Sequence, residues 1–349
     1  LDSGNNDYHQ KPSILMKNKK LIVFDMDGVL IDVSGSYRET VRQTAGLFFR
    51  IAPSFEKLPD PLFRLADLAA VKQSGGLNND WDLSCLVINL LFNRIEKPPV
   101  YRSKDPWARY QETIRQCDVA TLGDFLKSTP NPLTVMLQKA GKTKNAFIYG
   151  LYTGDVGSGN IIKQIFQEVY LGKDLFKATY DQTPKFHHDD GLIHREALLI
   201  DKGLLEELAA EHVLAIATGR PRAEANYPLA HFGIRKYFTR VMTLEDCLEK
   251  EKQVFKAEGK SVSLSKPHPY MLDALAAETR NTVAEYVYIG DMPDDMAAAK
   301  RAAAGYKGIG VLISTPDRAR LKADLLKAGA DSVIEDFDQL RSLIESEKA

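Results

Sequence analysis

Apolar and polar residues follow two different periodicities along this chain. Towards both ends, short apolar runs such as residues 21–24 (LIVF) and 213–217 (VLAIA) are typical of strands buried on both faces of a parallel sheet. Between these runs, apolar residues recur every three to four positions, which is the spacing of an amphipathic helix. The pattern therefore predicts an α/β part that is interrupted by a helical part.

The interrupting part extends from residue 36 to residue 187, and strand-like runs are nearly absent from it. The polar segment 186–191, with two histidines, two aspartates and a glycine, is interpreted as the hinge through which the chain returns. We expect residues 36–187 to form a separate, all-helical domain inserted into the first. Its main helices are predicted at residues 37–50, 62–71, 83–92, 107–114 and 161–170.

Strands and helices alternate after the insert, which predicts a doubly wound, Rossmann-like parallel sheet. The site of such an α/β fold lies beyond the carboxyl ends of its strands. Gly305 is expected to end a helix as its C′ residue. The strands are predicted at 213–217, 240–242, 286–289, 307–312 and 332–334, and the helices at 198–210, 228–232, 244–258, 270–278 and 294–304. The predicted domains are a polar tail at 1–15, a discontinuous α/β core at 16–35 and 188–349, and the helical domain at 36–187.

Composition narrows the class of protein. A length of 349 residues suggests two domains, and 44% hydrophobic with 27% charged residues is typical of a soluble globular protein. The 46 basic and 47 acidic residues nearly cancel, so we expect no nucleic-acid partner and no membrane partner. No apolar run approaches the roughly 20 residues that span a bilayer. The widely spaced Cys85, Cys117 and Cys247 favour a reducing, cytoplasmic location. Nothing in the pattern specifies an oligomeric state.

The first apolar strand ends in a pair of carboxylates. Asp25 and Asp27 are two residues apart, so their side chains leave the strand on the same side. Two carboxylates this close repel each other unless a cation lies between them, which suits a Mg²⁺ site or a nucleophile beside an acid/base. The alternative is an aspartate-rich turn in which Gly28 supplies the backbone freedom. The segment alone favours neither.

Two further strand ends carry groups that suit a phosphoryl oxygen. Thr218 and Gly219 offer a hydroxyl and an unhindered amide where a helix is expected to begin. Taken alone, Thr218 is better explained as a helix cap. Lys266 lies in an SKPHP segment whose prolines suit the first turn of the next helix, although an isolated lysine is usually a solvated charge. His268 is interpreted as structural or exposed.

The fourth polar strand end follows the apolar residues 286–289. Asp291 leaves this strand as Asp25 leaves the first, and it is a candidate to complete a hard-cation site of oxygen ligands. Asp294 is interpreted as the N-cap of the next helix. Asp295 falls in the first helical turn, from which its carboxylate is expected to reach Lys266.

Taken together, these four segments resemble the haloacid dehalogenase superfamily of aspartate-nucleophile hydrolases. The matching residues are FDMDGV (24–29), AIATG (215–219), SKPHP (265–269) and YIGDMPDD (288–295). The resemblance covers residues 21–33 and about 198–311. An insert directly after the first motif is similar to that of the subgroup with a helical cap at this point. This insert is larger than that subgroup's usual cap, so no substrate is carried over from it.

The resemblance implies a mechanism. Asp25 attacks phosphorus and forms an aspartyl-phosphate, while Asp27 protonates the leaving oxygen and then activates the hydrolytic water. Mg²⁺ is bound by the Asp25 carboxylate, the Asp27 carbonyl and Asp291. The phosphoryl oxygens are held by Thr218, the Gly219 amide and Lys266, and Asp295 orients Lys266.

The activity implied is that of a Mg²⁺-dependent phosphatase hydrolysing a small phosphorylated metabolite, such as a phosphosugar or a phospho-acid. Two alternatives stay open. A phosphosugar mutase uses the same core but returns the phosphoryl group to its substrate. A non-catalytic binding or regulatory protein on this fold is disfavoured because every motif position is filled.

Two further sets of residues are candidates for substrate binding. Arg220 and Arg222 are predicted to lie at the mouth of the site and attract anionic substrates, the alternative being two solvated surface charges. In the insert, a polar, glycine-containing loop at 72–81 is predicted to set substrate choice. The alternative is an ordinary interhelical loop in which Asn79 or Asp80 caps the next helix. The loop residues proposed to contact substrate are Lys72, Asn78 and Asp80.

Overall fold

The computed structural model describes residues 19–75, 79–96, 98–140, 143–315 and 317–345. The chain divides into two compact units, an α/β unit of Leu1–Asp32 with Ala197–Ala349 and a helical unit of Val33–Glu196. The first boundary therefore follows Asp32 rather than residue 35, and the second follows Glu196 rather than residue 187. The named strands and helices below belong to the described residues.

The α/β unit is built on six parallel strands in the order β5-β4-β1-β6-β7-β8, which confirms the predicted doubly wound sheet. The strands are β1 (Lys20–Phe24), β2 (Ile31–Asp32), β3 (Ala197–Leu198), β4 (Val213–Ala217), β5 (Arg240–Met242), β6 (Glu285–Gly290), β7 (Lys307–Val311) and β8 (Ser332–Ile334). The first strand is central because it pairs with β4 on one side and β6 on the other. Its apolar residues are fully buried, as expected for a strand covered on both faces.

Helices cover the sheet and make up most of the second unit. In chain order they are α1 (Tyr37–Phe48), α2 (Leu65–Gly75), α3 (Asp80–Phe92), α4 (Pro106–Ile114), α5 (Ala120–Ser128), α6 (Pro132–Ala140), α7 (Ala146–Gly150), α8 (Ile161–Tyr180), α9 (Lys202–Glu211), α10 (Arg222–His231), α11 (Leu244–Glu258), α12 (Tyr270–Thr279), α13 (Pro293–Arg301), α14 (Arg318–Ala328) and α15 (Asp338–Glu345). Short 3-10 helices lie at Phe55–Lys57, Leu192–Arg195 and Arg235–Tyr237. Within the described ranges, no helix combines the length and apolarity that a bilayer crossing requires.

Alternate residues of β1 face opposite layers of the α/β unit. Leu21 and Val23 belong to a buried cluster that includes Met271 and Leu272 of α12. Phe24 lies on the other face and packs edge-on against Phe238, with 6.0 Å between ring centroids. Both faces of the central strand are therefore apolar, and the first polar side chain after it is Asp25.

The two places where the chain passes between the units lie side by side. Strands β2 and β3 pair antiparallel, with Ile31 opposite Leu198 and Asp32 opposite Ala197. The Leu199 amide extends this pairing by donating to the Leu30 carbonyl at 2.9 Å. The α/β unit thus closes on itself where the helical unit is inserted.

The polar segment predicted as a hinge at 186–191 lies inside the helical unit. Gly172 bends α8 with φ +73°, and an isolated bridge joins it to Asp190. A Cβ on Gly172 would lie 2.1 Å from the Gly191 nitrogen, so only glycine permits this close approach of two backbones. The bend also lets α8 continue to Tyr180, ten residues beyond its predicted end.

Several helix boundaries differ from the prediction for local reasons. Asp201 caps α9 by accepting the Gly203 and Leu204 amides, so that helix begins four residues late. Helix α10 begins at Arg222 rather than residue 228, because Pro228 is tolerated within it. Helix α13 ends at Arg301, which makes Gly305 part of the turn before β7 rather than a C′ residue.

Candidate active site

Three adjacent strands end in the polar side chains singled out in the sequence. Asp25 follows β1, Thr218 follows β4 and Asp291 follows β6. Because β4, β1 and β6 are parallel neighbours, their carboxyl ends meet at one edge of the sheet. Lys266 reaches the same place from the segment before α12, since its ammonium contacts Asp25. All four groups belong to the α/β unit.

Lys266 joins two carboxylates. Its Nζ lies 2.8 Å from Oδ1 of Asp25 and 2.7 Å from Oδ1 of Asp295. The second oxygen of Asp295 accepts the Met292 amide at 3.0 Å, which anchors this carboxylate to the start of α13. Asp295 is buried, and it reaches Lys266 as the sequence predicts. Asp295 therefore fixes the Lys266 ammonium beside the Asp25 carboxylate.

Asp294 is not the N-cap of α13. That position is taken by Met292, and Pro293 is the first helical residue, where its fixed φ and missing N–H cost nothing. Asp294 is therefore the second residue of the helix. Its pKa is raised, chiefly by partial burial and then by the nearby Asp295 carboxylate.

Tyr288 is a fourth member of the lysine network that the sequence analysis did not identify. Its hydroxyl accepts from Lys266 Nζ at 3.2 Å and donates to Asp295 Oδ1 at 2.9 Å. The side chain is fully buried on β6, and burial raises its pKa well above the usual value. A buried tyrosine needs a polar partner for its hydroxyl, and a tyrosine among the last residues of a strand is the signal that could have identified it.

Three carboxylates form a compact group, in which Asp25 and Asp295 are buried and Asp291 is half-buried. Ligand oxygens of Asp25, Asp291 and Asp295 all lie within 4.8 Å of one another. Burial raises the pKa of Asp25 to about 7, the Lys266 ammonium opposes this rise, and the Asp295 and Asp27 carboxylates add to it. Burial, followed by the Asp295 and Asp25 carboxylates, also raises the pKa of Asp291 well above its usual value. The three carboxylates therefore bring more negative charge together than the Lys266 ammonium neutralises.

This group fits a hard divalent cation such as Mg²⁺, which prefers oxygen ligands and offsets like charge between carboxylates. Gly28 makes room for it, since the turn after β1 gives this residue φ +73° and a Cβ would lie 2.1 Å from Oδ2 of Asp291. Ser314, which follows β7, contacts the same oxygen at 3.5 Å. Both residues thus shape the space around Asp291.

Arg220 lies in the interior rather than among solvated charges. Its side chain is 1% exposed, and Nε donates to Oδ1 of Asp27 at 2.5 Å. The cause is local: the loop between β4 and α10 turns this side chain inward, where a buried cation requires a carboxylate partner. The Asp27 carboxylate is consequently held by Arg220.

Arg222 has the opposite environment. Its side chain is 50% exposed, and its guanidinium lies 3.7 Å from both Asp246 and Glu249 of α11. Its backbone amide donates to Glu245 at 2.8 Å. Acidic side chains on α11 therefore offset the charge that was predicted to attract anionic substrates.

Thr218 is fixed by hydrogen bonds but caps no helix. Its amide donates to the Met242 carbonyl at 3.0 Å, and its hydroxyl accepts the Arg220 amide at 3.2 Å. The N-cap of α10 is Pro221, so the helix-cap alternative for Thr218 is wrong. Gly219 is exposed, and among the described residues other than its two chain neighbours no atom lies within 4 Å of the place its Cβ would take. Space for a ligand oxygen therefore exists beside this backbone.

The remaining predicted residues lie in the helical unit. Lys72 and Asp80 pair with each other, with 2.9 Å between Nζ and Oδ1. Asn79 is the N-cap of α3 and accepts the Asp82 amide at 2.7 Å. Asn78 lies outside the described residues. A role for Lys72, Asn78 and Asp80 in substrate choice stays a prediction.

This chain is similar to known proteins in sequence and in structure. A curated imidazoleglycerol-phosphate dehydratase from Phytophthora nicotianae is 24% identical over 292 residues, which are 82% of this chain and 42% of that protein. The chain thus spans less than half the length of the curated relative it matches. An X-ray structure of a Northeast Structural Genomics Consortium target has a TM-score of 0.66 at 21% identity, covering 95% of this chain and 99% of the other. A phosphatase from Thermococcus thioreducens has a TM-score of 0.49 at 21% identity, covering 88% and 99%.

The family comparison matches most of the α/β unit and the whole insert at once. A model described as a haloacid dehalogenase-like hydrolase aligns with residues 19–303, which include every strand-end group described above. The resemblance inferred from the four motifs is thereby confirmed. This chain belongs to the haloacid dehalogenase-like hydrolase family.

Proposed function

We propose that the protein is a Mg²⁺-dependent phosphatase that hydrolyses a small phosphorylated metabolite through an aspartyl-phosphate on Asp25. The observation that carries this proposal is the environment of Asp25. Its carboxylate is 6% exposed at the end of the central strand, 2.8 Å from Lys266 and within a group of three carboxylates. A nucleophile placed in this way has a cation beside it to receive the phosphoryl charge.

The side chains of this site divide the reaction between them. Asp25 attacks phosphorus, the leaving oxygen takes a proton from Asp27, and Asp27 then activates the water that releases phosphate. The Thr218 hydroxyl, the Gly219 amide and the Lys266 ammonium bind the phosphoryl oxygens. Asp295 and Tyr288 keep Lys266 in place through contacts of 2.7 and 3.2 Å.

The residues that would hold Mg²⁺ are Asp25, Asp291 and the backbone carbonyl of Asp27. When bound, the ion neutralises charge on the nucleophile and on the phosphoryl group. The close carboxylates of Asp25 and Asp291, both with raised pKa values, support this assignment.

The experiment is a screen of phosphorylated metabolites with and without Mg²⁺, measuring released phosphate. We expect phosphate release only with the metal, and its loss in Asp25→Asn while Arg222→Met retains it. Product analysis separates hydrolysis from mutase activity, because a mutase returns the phosphoryl group to an isomer of its substrate. Substantial turnover by Asp25→Asn would refute the proposed nucleophile.

We further propose a cytoplasmic location. The observation that supports it is that Cys85, Cys117 and Cys247 are all free thiols and buried. Fractionation of the native cells, with this protein detected by antibody, tests the location.

A further inference from the structure

Arg220 is a second cation in the active-site region, and the proposed reaction does not yet use it. Its guanidinium is 1% exposed, whereas the Asp27 side chain that it contacts is 34% exposed. Asp27 is therefore anchored from the interior while the rest of its carboxyl group stays accessible from outside. A group that must exchange a proton with a bound ester needs this combination of anchoring and access.

The guanidinium is itself fixed within its loop. Nη1 donates to the Glu224 carbonyl at 3.2 Å, and the Arg220 carbonyl accepts the Leu244 amide at 3.0 Å. The backbone of Arg220 also donates to the Thr218 hydroxyl at 3.2 Å. One residue thus connects two groups of the proposed mechanism, Thr218 through its backbone and Asp27 through its side chain.

The backbone of Asp27 is held as well, so its carboxyl group is the part left to position. The Gly28 amide donates to the Ile31 carbonyl at 2.8 Å, and Asp27 forms a bridge with Ile31. With the main chain fixed in this turn, the side-chain rotamer decides where the carboxyl oxygens lie. The contact of 2.5 Å between Arg220 Nε and Asp27 Oδ1 selects that rotamer.

We propose that Arg220 is a positioning residue for Asp27, and that it acts on proton transfer to the leaving group rather than on the binding of anionic substrate. This inference rests on the proposed phosphatase function. It differs from the sequence-based expectation that Arg220 attracts substrate from the site mouth. The two roles predict different kinetics, because positioning changes kcat whereas attraction changes KM.

The test is a double-variant cycle with two esters, p-nitrophenyl phosphate as the good leaving group and glycerol phosphate as the poor one. The variants are Asp27→Asn, Arg220→Met, Arg220→Lys and the combination of the first two. A substitution of the Arg220 side chain keeps its backbone contact with Thr218, so effects through Thr218 are held constant. Arg222→Met serves as the matched control, since Arg222 is half exposed and pairs with α11.

We expect Arg220→Met to lower kcat for the glycerol ester on the order of tenfold to a hundredfold, and that for the nitrophenyl ester less. KM and the inhibition constant of inorganic phosphate should change by no more than about twofold. In the Asp27→Asn background, Arg220→Met should slow turnover by no more than about a further twofold, because the two changes remove one interaction. Arg220→Lys should recover part of kcat.

Other results overturn the inference. A rise in KM and in the phosphate inhibition constant at constant kcat would assign Arg220 to substrate binding. Multiplicative effects in the double variant, or equal slowing of both esters, would show that Arg220 does not act through Asp27. If Arg220→Met fails to fold, Arg220→Lys completes the same cycle. A wild-type protein that releases no phosphate from either ester refutes the proposed function itself, a result distinct from these.

Discussion

Asp25 and Asp291 are two residues whose ionisation should shape the pH response of this protein, because both have raised pKa values. Burial raises the pKa of Asp25 from 3.8 to about 7 in the folded chain. Because the folded value exceeds the unfolded one, the stabilising contribution is complete below pH 4 and is lost as pH rises through 7. The metal-free protein should therefore lose free energy of unfolding between about pH 4 and pH 7.

The measurement is chemical denaturation of the metal-free protein across this pH range, repeated with Mg²⁺. Since the ion binds carboxylates, its stabilising effect should grow as pH rises. Asp25→Asn should flatten the metal-free slope. A stability that is constant from about pH 4 to pH 7 in the wild type would contradict the prediction.

Gly28 is a second residue whose substitution should change both stability and Mg²⁺ binding. Its φ of +73° is unfavourable for other residues, and a Cβ there would lie 2.1 Å from Asp291 Oδ2 and 2.8 Å from Ser314 Oγ. We expect Gly28→Ala to cost about 1–3 kcal/mol of stability and to weaken Mg²⁺ binding, because Asp291 must move. Calorimetric titration with Mg²⁺ and thermal melting measure the two effects.

The control for Gly28 is Gly46→Ala in α1, where a Cβ would meet no described atom within 4 Å outside the neighbouring backbone of its own helix. That substitution should be neutral or slightly stabilising, as usual in a helix. Unchanged Mg²⁺ affinity in Gly28→Ala would contradict the prediction that the turn at Gly28 shapes the metal site.

At the scale of elements, a buried carboxylate holds the end of the helical unit together. Glu168 of α8 is fully buried, and its Oε2 accepts the amides of Lys185, Phe186 and His187 at 2.9, 2.6 and 3.2 Å. Gln164 donates to its other oxygen at 3.0 Å. The Glu168 carboxylate accepts hydrogen bonds from backbone amides of the segment after α8, and these amides would otherwise be unsatisfied.

We expect Glu168→Ala to destabilise the helical unit by about 3 kcal/mol or more, since three donors lose their acceptor. Glu112→Ala, at an exposed position of α4, should change stability by less than about 0.5 kcal/mol. Urea unfolding measures the free energy of unfolding of each variant, and hydrogen exchange measures the protection of the amides of residues 185–187. Equal stability in both variants would refute this role of Glu168.

The elements that the sequence predicted well are those whose signal is local. The strands β4, β5 and β8 have the predicted bounds, because a short apolar run between polar residues specifies a buried strand by itself. Asp25 and Asp291 were foreseen as neighbours because parallel strands bring their carboxyl ends together. Lys266 was predicted at a strand end as well, but it lies between α11 and α12.

What the sequence did not predict depends on side-chain direction or long-range contact. Arg220 and Arg222 are two residues apart and alike in sequence, yet one is buried against Asp27 and the other faces α11. Tyr288 begins the motif at 288–295, but its contact with Lys266 depends on the direction of both side chains. The segment 186–191 was predicted as a hinge because no local pattern indicates its contact with Glu168, which lies 18 residues before Phe186.

At the scale of the whole molecule, the insertion has closely spaced ends. Asp32 and Ala197 are paired in a two-stranded ladder within the α/β unit, and such partners have Cα atoms about 5.5 Å apart. Among the described residues, one buried cluster against the sheet consists of residues of this unit, including Leu21, Ala215 and Tyr288. The α/β unit therefore carries its own core and all of the proposed catalytic side chains.

This organisation predicts that the helical unit can be removed without losing the chemistry. A chain in which Gly/Ser residues replace 33–196 should fold, gain stability with Mg²⁺, and hydrolyse p-nitrophenyl phosphate, because the strand ends and the β2–β3 ladder stay intact. If the helical unit selects the substrate, discrimination among metabolite esters should fall by on the order of tenfold in relative kcat/KM. Asp25→Asn in the shortened chain is the control for contaminating activity. A shortened chain that folds and binds Mg²⁺ yet leaves the nitrophenyl ester intact would mean that the helical unit supplies a group required for the reaction.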